Sequence, residues 1–213
     1  MIRSTSIITA RSSADIRDVA GLFLEYEKAI DIDLSYQDFV AEVAGLPGTY
    51  APPRGELLLA RINIEPVGCV AVRPLEEERC ELKRLFVAPQ GRGRGIGKQL
   101  LASIVEEARR LGYSEMFLDT LPSLTSAITL YHAVGFEETD AYNSPPNDEL
   151  LFFRKDLRYR AALINSRLAA STCMVSIIAS SKRSAPPEAA ATRRSARASS
   201  SAPGAKAAWQ AAI

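Results

Sequence analysis

Residues 85–98 read Leu-Phe-Val-Ala-Pro-Gln-Gly-Arg-Gly-Arg-Gly-Ile-Gly-Lys, an apolar strand end that passes through a glycine-rich turn into an amphipathic segment. Glycine reaches positive φ without strain and lets a ligand approach the backbone closely. The first N–H groups of a helix have no intrahelical partner, and the helix dipole favours negative charge beside them. Arg92, Arg94 and Lys98 bring positive charge to the same turn. The chemistry this pattern supports is anion binding, of a phosphate or pyrophosphate in particular. Two blander structures share the pattern: a plain strand-to-helix turn, and a basic Arg-Gly segment that touches nucleic acid. A Walker-type loop competes as a phosphate binder, but Gln99 follows Lys98 where a Ser or Thr would hold magnesium.

The elements that must position this turn are legible from hydrophobic period and punctuation. Ile7 and Ile8 give a short first strand, and Ser12, Ser13 and Asp15 offer cap chemistry before Ile16, Val19, Ala20, Phe23 and Leu24 at helical spacing. Ser35 with Asp38 resembles a cap for a second helix through Val43, ended by Leu46-Pro47-Gly48, so that residues 30–50 read as helical. Residues 57–64 and 67–72 read as antiparallel strands joined across Glu65-Pro66, followed by a strand over 80–87. From Gly95 to Leu111 the apolar residues recur along one helix face, with Glu106 and Arg110 paired outside and Gly112 as the stop. A short strand at 116–118, a helix from Ala127 to Val134 closed by Gly135, and strands from Phe136 and over 150–154 complete the order β-α-α-β-β-β-α-β-α-β-β. This predicts an α/β domain of α+β type with a mixed sheet, and the antiparallel first half forbids a doubly wound parallel fold.

The average charge of the chain hides a boundary. Of the 213 residues, 47% are apolar and 24% charged, as in globular proteins, and the formal net charge is +1. Residues 1–157 carry a net of −7 and residues 158–213 a net of +8, with Glu188 the lone acid of the second part. The expected organisation is therefore a folded domain over 1–157 and a basic Ala/Ser/Arg-rich tail over 158–213, largely disordered, in which Tyr159 to Ile178 reads equally as helix or strand. Cys69, Cys80 and Cys173 form no CxxC pair, and with the lone His132 they make no ordinary zinc site, so no metal is expected. No apolar run is long enough for a membrane span, and the N-terminus lacks a secretory h-region, which predicts a cytoplasmic protein.

Several features converge on one family. Arg92, Gly95 and Gly97 meet an Arg-x-x-Gly-x-Gly pattern, it follows the strand Glu-Leu-Lys-Arg-Leu-Phe-Val at 81–87, and downstream stands Ala127-Ile-Thr-Leu-Tyr131-His-Ala-Val-Gly135-Phe136. Over residues 1–157 the chain resembles the GNAT superfamily of acetyl-CoA-dependent N-acetyltransferases. The resemblance implies a twisted sheet in which the strand ending at Val87 splays from the strand ending near Thr120, with acetyl-CoA in the gap. It implies that backbone groups of Leu85, Phe86 and Val87 pair with the pantetheine, and that Arg92, Gly93, Arg94, Gly95, Ile96, Gly97 and Lys98 wrap the pyrophosphate. Tyr131 then matches the family tyrosine that protonates the leaving thiolate, with a core aromatic as the alternative. Glu81 stands where some members carry a glutamate that deprotonates the amine, and a carboxylate facing apolar surface is the more useful base near neutrality; a solvated strand-end carboxylate is the alternative. His132 is expected at the surface. Asp119 could bind a substrate ammonium or cap the next turn. One departure stands out: Leu124 replaces a family Asn that bonds the cofactor, a bond left to Thr120, Ser123 or Thr125.

The function so implied is acetyl transfer from acetyl-CoA to a primary amine of a small molecule or peptide, by direct attack without an acyl-enzyme. The alternatives are an acyl-CoA-binding module without turnover and a polyanion binder acting through the basic tail. A tail with only Tyr159 and Trp209 as aromatics has no means of reading nucleic acid specifically. Asp31, Asp33, Asp38, Glu137, Glu138 and Asp140 are expected to give the acceptor site an acidic surround. No membrane partner is expected, and assembly is left open, a homodimer included.

Overall fold

The computed structural model describes residues 4–30, 38–143 and 150–158. Strand β1 (Thr5–Thr9) leads into helix α1 (Ser13–Ile30), whose start is a reciprocal cap. The Ser12 amide and hydroxyl donate to Asp15 Oδ2 at 3.1 and 2.7 Å, and the Asp15 amide returns a bond to Ser12 Oγ at 3.1 Å. Together with the Arg61 guanidinium, these bonds hold the Asp15 carboxyl down at about 2. The second helical region is shorter than expected: α2 covers only Phe39–Ala44, and a single 3-10 turn spans Gly48–Tyr50. Asp38 precedes α2 in the left-handed region without a side-chain cap, and Ser35 lies outside the described residues.

Strands β2 (Glu56–Ile62), β3 (Glu65–Pro74) and β4 (Arg79–Val87) form a meander. The turn between β2 and β3 lies two residues before the expected Glu65-Pro66 corner. Ile62 pairs with Glu65, and Asn63-Ile64 is the two-residue turn, with Asn63 at φ 57. Two-residue hairpins demand positive φ, which Asn tolerates better than most side chains. Then follow α3 (Ile96–Arg110), β5 (Glu115–Thr120), α4 (Thr125–Val134), β6 (Glu137–Thr139) and β7 (Leu151–Asp156), in the element order expected. On the outer face of α3, Arg109 pairs with Glu106 and Arg110 with Glu107.

The seven strands make one sheet in the order β1-β2-β3-β4-β5-β7-β6, antiparallel except where β4 runs parallel to β5. Each face buries its own core. Leu82, Leu85 and Val87 of β4 join Leu100, Ile104, Ala127, Tyr131 and Phe153 beneath α3 and α4. Leu57, Leu59, Cys69, Ala71 and Phe86 join Val19, Phe23, Phe39 and Tyr50 beneath α1 and α2.

Two irregularities in β4 create the opening that matters. Its parallel pairing with β5 covers only Arg79–Glu115, Cys80–Met116 and Glu81–Phe117, while β5 stays paired with β7 along its whole length to Thr120. Beyond Glu81, β4 has no strand partner on that edge among the described residues. On its other edge, Cys69 pairs with Phe86 and Ala71 with Lys83, so β4 uses three residues where β3 uses two. The extra residue puts Arg84 at φ 59. Such a bulge bends and twists its strand, which turns the second half of β4 away from β5.

Arg84 is held in that conformation by a buried ion pair. Its guanidinium bonds both oxygens of Glu42 and lies 5.0 Å over the Phe39 ring, and the Tyr50 hydroxyl donates to the same Glu42. Burial alone would raise the Glu42 carboxyl, but the bonds and charge of Arg84 prevail and lower it. Arg84→Ala removes one partner of this pair and should cost about 3–5 kcal/mol in urea unfolding at neutral pH. Because the folded carboxyl is depressed, the pair's contribution is complete above the ordinary carboxylate range and is lost as pH falls through the depressed value. The gap between wild type and variant should therefore narrow in acid.

Candidate active site

The fork between β4 and β5 leads directly to the glycine turn. Ala88 donates to the Val67 carbonyl at 2.9 Å, a 3-10 turn covers Pro89–Gly91, and Gly93 and Gly95 take φ 71 and 72 before α3 begins at Ile96. Gly95 is the N-cap, and no side chain caps the helix, so its first-turn N–H groups face outward without the usual oxygen. A Cβ built on Gly93 would meet nothing within 4 Å, and one on Gly95 only Gln99 Nε2 at 4.0 Å. The turn is thus an open cradle of backbone amides. Arg94 and Lys98 stand exposed beside it, while Arg92 folds back to donate Nε to the Val87 carbonyl at 3.1 Å. The side chains of Leu85, Phe86 and Val87 are spent in the two cores, so what this stretch offers a ligand is its main chain along the open edge.

Tyr131 lies on α4 and is 5% exposed, against Phe136 and Phe153 at ring centroid distances of 5.8 and 5.9 Å. No solvent-sealed side-chain polar atom lacks a partner among the described residues, and the Tyr131 hydroxyl bonds none of them, so that hydroxyl keeps an opening to solvent. Burial, and then the charges of Tyr26 and Asp119, push it well above the ordinary phenol value. It is therefore a neutral proton donor across the physiological range. Leu124 turns into the core at the start of α4, Thr120 is buried nearby, and Ser123 and Thr125 are exposed.

Glu81 is 1% exposed, which overturns the reading of it as a solvated strand-end carboxylate. Its Oε2 accepts from Arg73 Nε and NH2 at 2.7 and 2.6 Å, and its Oε1 accepts from the Tyr142 hydroxyl at 2.8 Å. Lys83 Nζ stands 3.5 Å from the same Oε1 and 2.9 Å from Asp119 Oδ1. Asp119 is thus already engaged by an ammonium, that of Lys83, and caps no turn among the described residues. Burial and the charges of Asp119 and Glu81 raise the Tyr142 phenol, which stays protonated as the donor. Arg73, Lys83 and Tyr142 were not among the residues the sequence singled out. Lys83 had a signal: the charges at 81 and 83 share one face of the strand by the two-residue period. Tyr142 sits in a connection after β6, where no period applies.

Where they are described, the acids expected to surround the acceptor face solvent. Asp38, Glu137, Glu138 and Asp140 are exposed, and Asp31 and Asp33 lie outside the described residues. On the α1/α2 face of the fork the described acids Glu42, Glu81 and Asp119 are each paired with a cation from the same region: Arg84, Arg73 and Lys83. His132 is exposed as expected, 3.9 Å from Glu138.

A strand fork that opens onto an uncapped, glycine-led helix is reflected in the comparisons with known proteins. The model of the Acetyltransferase (GNAT) family matches residues 22–136. The chain belongs to this family. It is 36% identical over 154 residues to an uncharacterised N-acetyltransferase of Schizosaccharomyces pombe, an alignment that spans 71% of this chain and 94% of the relative. An acetyltransferase of the GNAT family from Staphylococcus aureus superposes with a TM-score of 0.62 at 23% identity, over 72% of this chain and 99% of that one. An N-acetyltransferase of Thermoplasma acidophilum, solved in complex with coenzyme A, superposes with a TM-score of 0.56 at 17% identity, over 72% and 99%. These two likenesses fix the fold, and the family match makes this GNAT chain an acetyl-CoA-dependent N-acetyltransferase. Among its described residues no group of three or more His, Cys, Asp or Glu could hold a metal ion, and no helix is long and apolar enough to cross a membrane.

Proposed function

We propose that the chain transfers acetyl from acetyl-CoA to a primary amine of a small molecule or peptide, by direct attack and without an acyl-enzyme. The observation that carries this reading is the fork past Glu81–Phe117, whose free β4 edge runs into the uncapped N-terminus of α3. Acetyl-CoA, when bound, supplies an acyl group activated as a thioester. The main-chain groups of Leu85, Phe86 and Val87 would hold its pantetheine as an added strand. The Arg92–Lys98 turn would hold its pyrophosphate through the amides of Gly93, Arg94, Gly95, Ile96, Gly97 and Lys98, with the side chains of Arg94, Lys98 and Arg92 supplying charge.

Tyr131, kept neutral by burial, gives its proton to the departing sulfur, and Glu81 takes the proton of the attacking amine. Direct attack is supported by the cysteines: Cys69 and Cys80 are both buried, and burial pushes their thiols far above the range in which a thiolate nucleophile forms. The domain we assign to this activity is 1–157. Leu157 is buried, with its amide bonded to the Ser114 carbonyl and its carbonyl accepting from Arg109 Nε, both at 2.9 Å. The basic tail after Arg158 lies outside the described residues.

The experiment that tests this function measures thiol release from acetyl-CoA across a panel of amines, beside calorimetric titration with acetyl-CoA. Saturable binding with amine-dependent release is expected. Binding without release would leave an acyl-CoA-binding module, and absence of both would overturn the site. Glu81→Gln should lower kcat/KM about 10²-fold near neutral pH, with the deficit shrinking as pH rises and free amine becomes plentiful. A deficit that does not vary with pH would count against a base role.

A further inference from the structure

Lys83 holds a place that an acceptor amine must itself approach. Lys83 on β4 and Asp119 on β5 are the next same-face residues beyond the last parallel pair, Glu81–Phe117, and their side chains close across the fork at 2.9 Å. Both are about nine-tenths buried, at 9% and 10% exposure. The Lys83 ammonium also stands 3.5 Å from Glu81 Oε1, and the Tyr142 hydroxyl stands against both carboxylates, at 2.8 Å from Glu81 and 3.4 Å from Asp119. From the α3/α4 side of the sheet the nearly buried Tyr131 hydroxyl, unpartnered among the described residues, lies near enough to Asp119 to feel its charge. The fork thus already holds one primary ammonium on a carboxylate, and it is the protein's own.

Resting on the transferase reading above, we propose that Lys83 and Asp119 select a zwitterionic acceptor: an α-amino acid, whose ammonium takes Asp119 and whose carboxylate takes Lys83. An amine that carries only a cation displaces Lys83 from Asp119 and leaves its buried ammonium with only the longer contact to Glu81, at 3.5 Å, on a carboxylate that Arg73 and Tyr142 already bond, which is unfavourable. An amine that carries a carboxylate beside its ammonium exchanges partners with the pair, so that every charge stays matched. Among the described residues the other acids of this cluster are already engaged, Glu81 by Arg73 and Tyr142 and Glu42 by Arg84. Within this described cluster the three cations and three acids cancel, so the cluster itself adds no net negative charge that would favour a simple polyamine.

The test uses the full chain and three matched sets of probes: leucine, leucinamide and 3-methylbutylamine; phenylalanine, phenylalaninamide and phenethylamine; serine, serinamide and ethanolamine. In at least one set the amino acid should exceed both its amide and its decarboxylated amine in kcat/KM by about 30-fold or more. Amino amides have the more acidic ammonium, so a preference for the acid runs against free-amine supply. Lys83→Arg should keep the preference. Lys83→Met should reduce it to within about threefold, because the methionine side chain cannot hold the carboxylate. In a separate arm without turnover, the preferred amino acid should raise the melting temperature of wild type in the presence of coenzyme A, and its amide should not. Amides or simple amines that match the acids in every set would overturn the zwitterion reading and leave the transferase reading standing. Thermal stabilisation by the acid without thiol release from any probe would overturn the transferase reading and leave this pairing standing. Acids that neither react nor stabilise the fold would overturn the pairing.

Discussion

Tyr131→Phe should lower turnover by about 10²- to 10⁴-fold while leaving acetyl-CoA affinity within about twofold of wild type. In the free protein the hydroxyl has no structural role: it bonds no described residue, and the ring alone packs on Phe136 and Phe153. Deleting it removes no internal hydrogen bond, so unfolding free energy should change by less than about 0.5 kcal/mol. Catalysis loses the donor at the moment the sulfur leaves, an interaction made only in the transition state, so kcat and kcat/KM should fall together. Burial raises the phenol, and a group raised in this way stays protonated until the pH passes its raised value. Wild-type kcat should therefore show no alkaline decline below pH ~10 that the variant abolishes. Rapid-quench measurement of both proteins across pH, with calorimetry for affinity, decides the matter. Equal turnover would make Tyr131 a packing residue.

The placement of Tyr131 was legible in the sequence because the relevant pattern is local. Ala127, Tyr131, Gly135 and Phe136 lie on one helix and its stop, and Gly135 at φ 87 closes α4 as a C-cap glycine should. The glycine turn at 91–97 and the face of α3 were legible for the same reason. What the sequence left open depended on pairing between distant segments. Glu81 read equally as solvated or interior, because its environment is made by Arg73 on β3, Asp119 on β5 and Tyr142 after β6, none of which a window around Glu81 contains. The bulge at Arg84 was invisible for a related cause: an arginine at positive φ has no propensity signal, and only Glu42, Phe39 and Tyr50 from elsewhere in the chain hold it there. Charge counted along a segment says nothing about which acids a sheet face buries beside which bases.

Gly95→Asn should fold near wild type and yet bind acetyl-CoA about 100-fold or more weakly, and this variant separates two reasons for glycine that are usually confounded. The first is backbone strain: Gly95 sits at φ 72, where β-branched residues pay a penalty whatever space surrounds them. Asn enters the left-handed region at small cost, so strain alone predicts a mild effect. The second reason is approach. Nothing in the protein lies within 4 Å of a Cβ at this position except Gln99 Nε2 at 4.0 Å, so the free chain accepts a side chain here. In the proposed site, a pyrophosphate on the amides of Gly95, Ile96 and Gly97 would occupy that same space. A side chain at Gly95 would then collide with the ligand and not with the protein. Gly95→Val, which carries both penalties, should lose binding altogether and some stability besides. Calorimetric titration with acetyl-CoA and thermal unfolding of both variants read the two effects separately. If Gly95→Asn binds like wild type, the glycine serves only its own backbone, and the pyrophosphate does not lie over the N-terminus of α3.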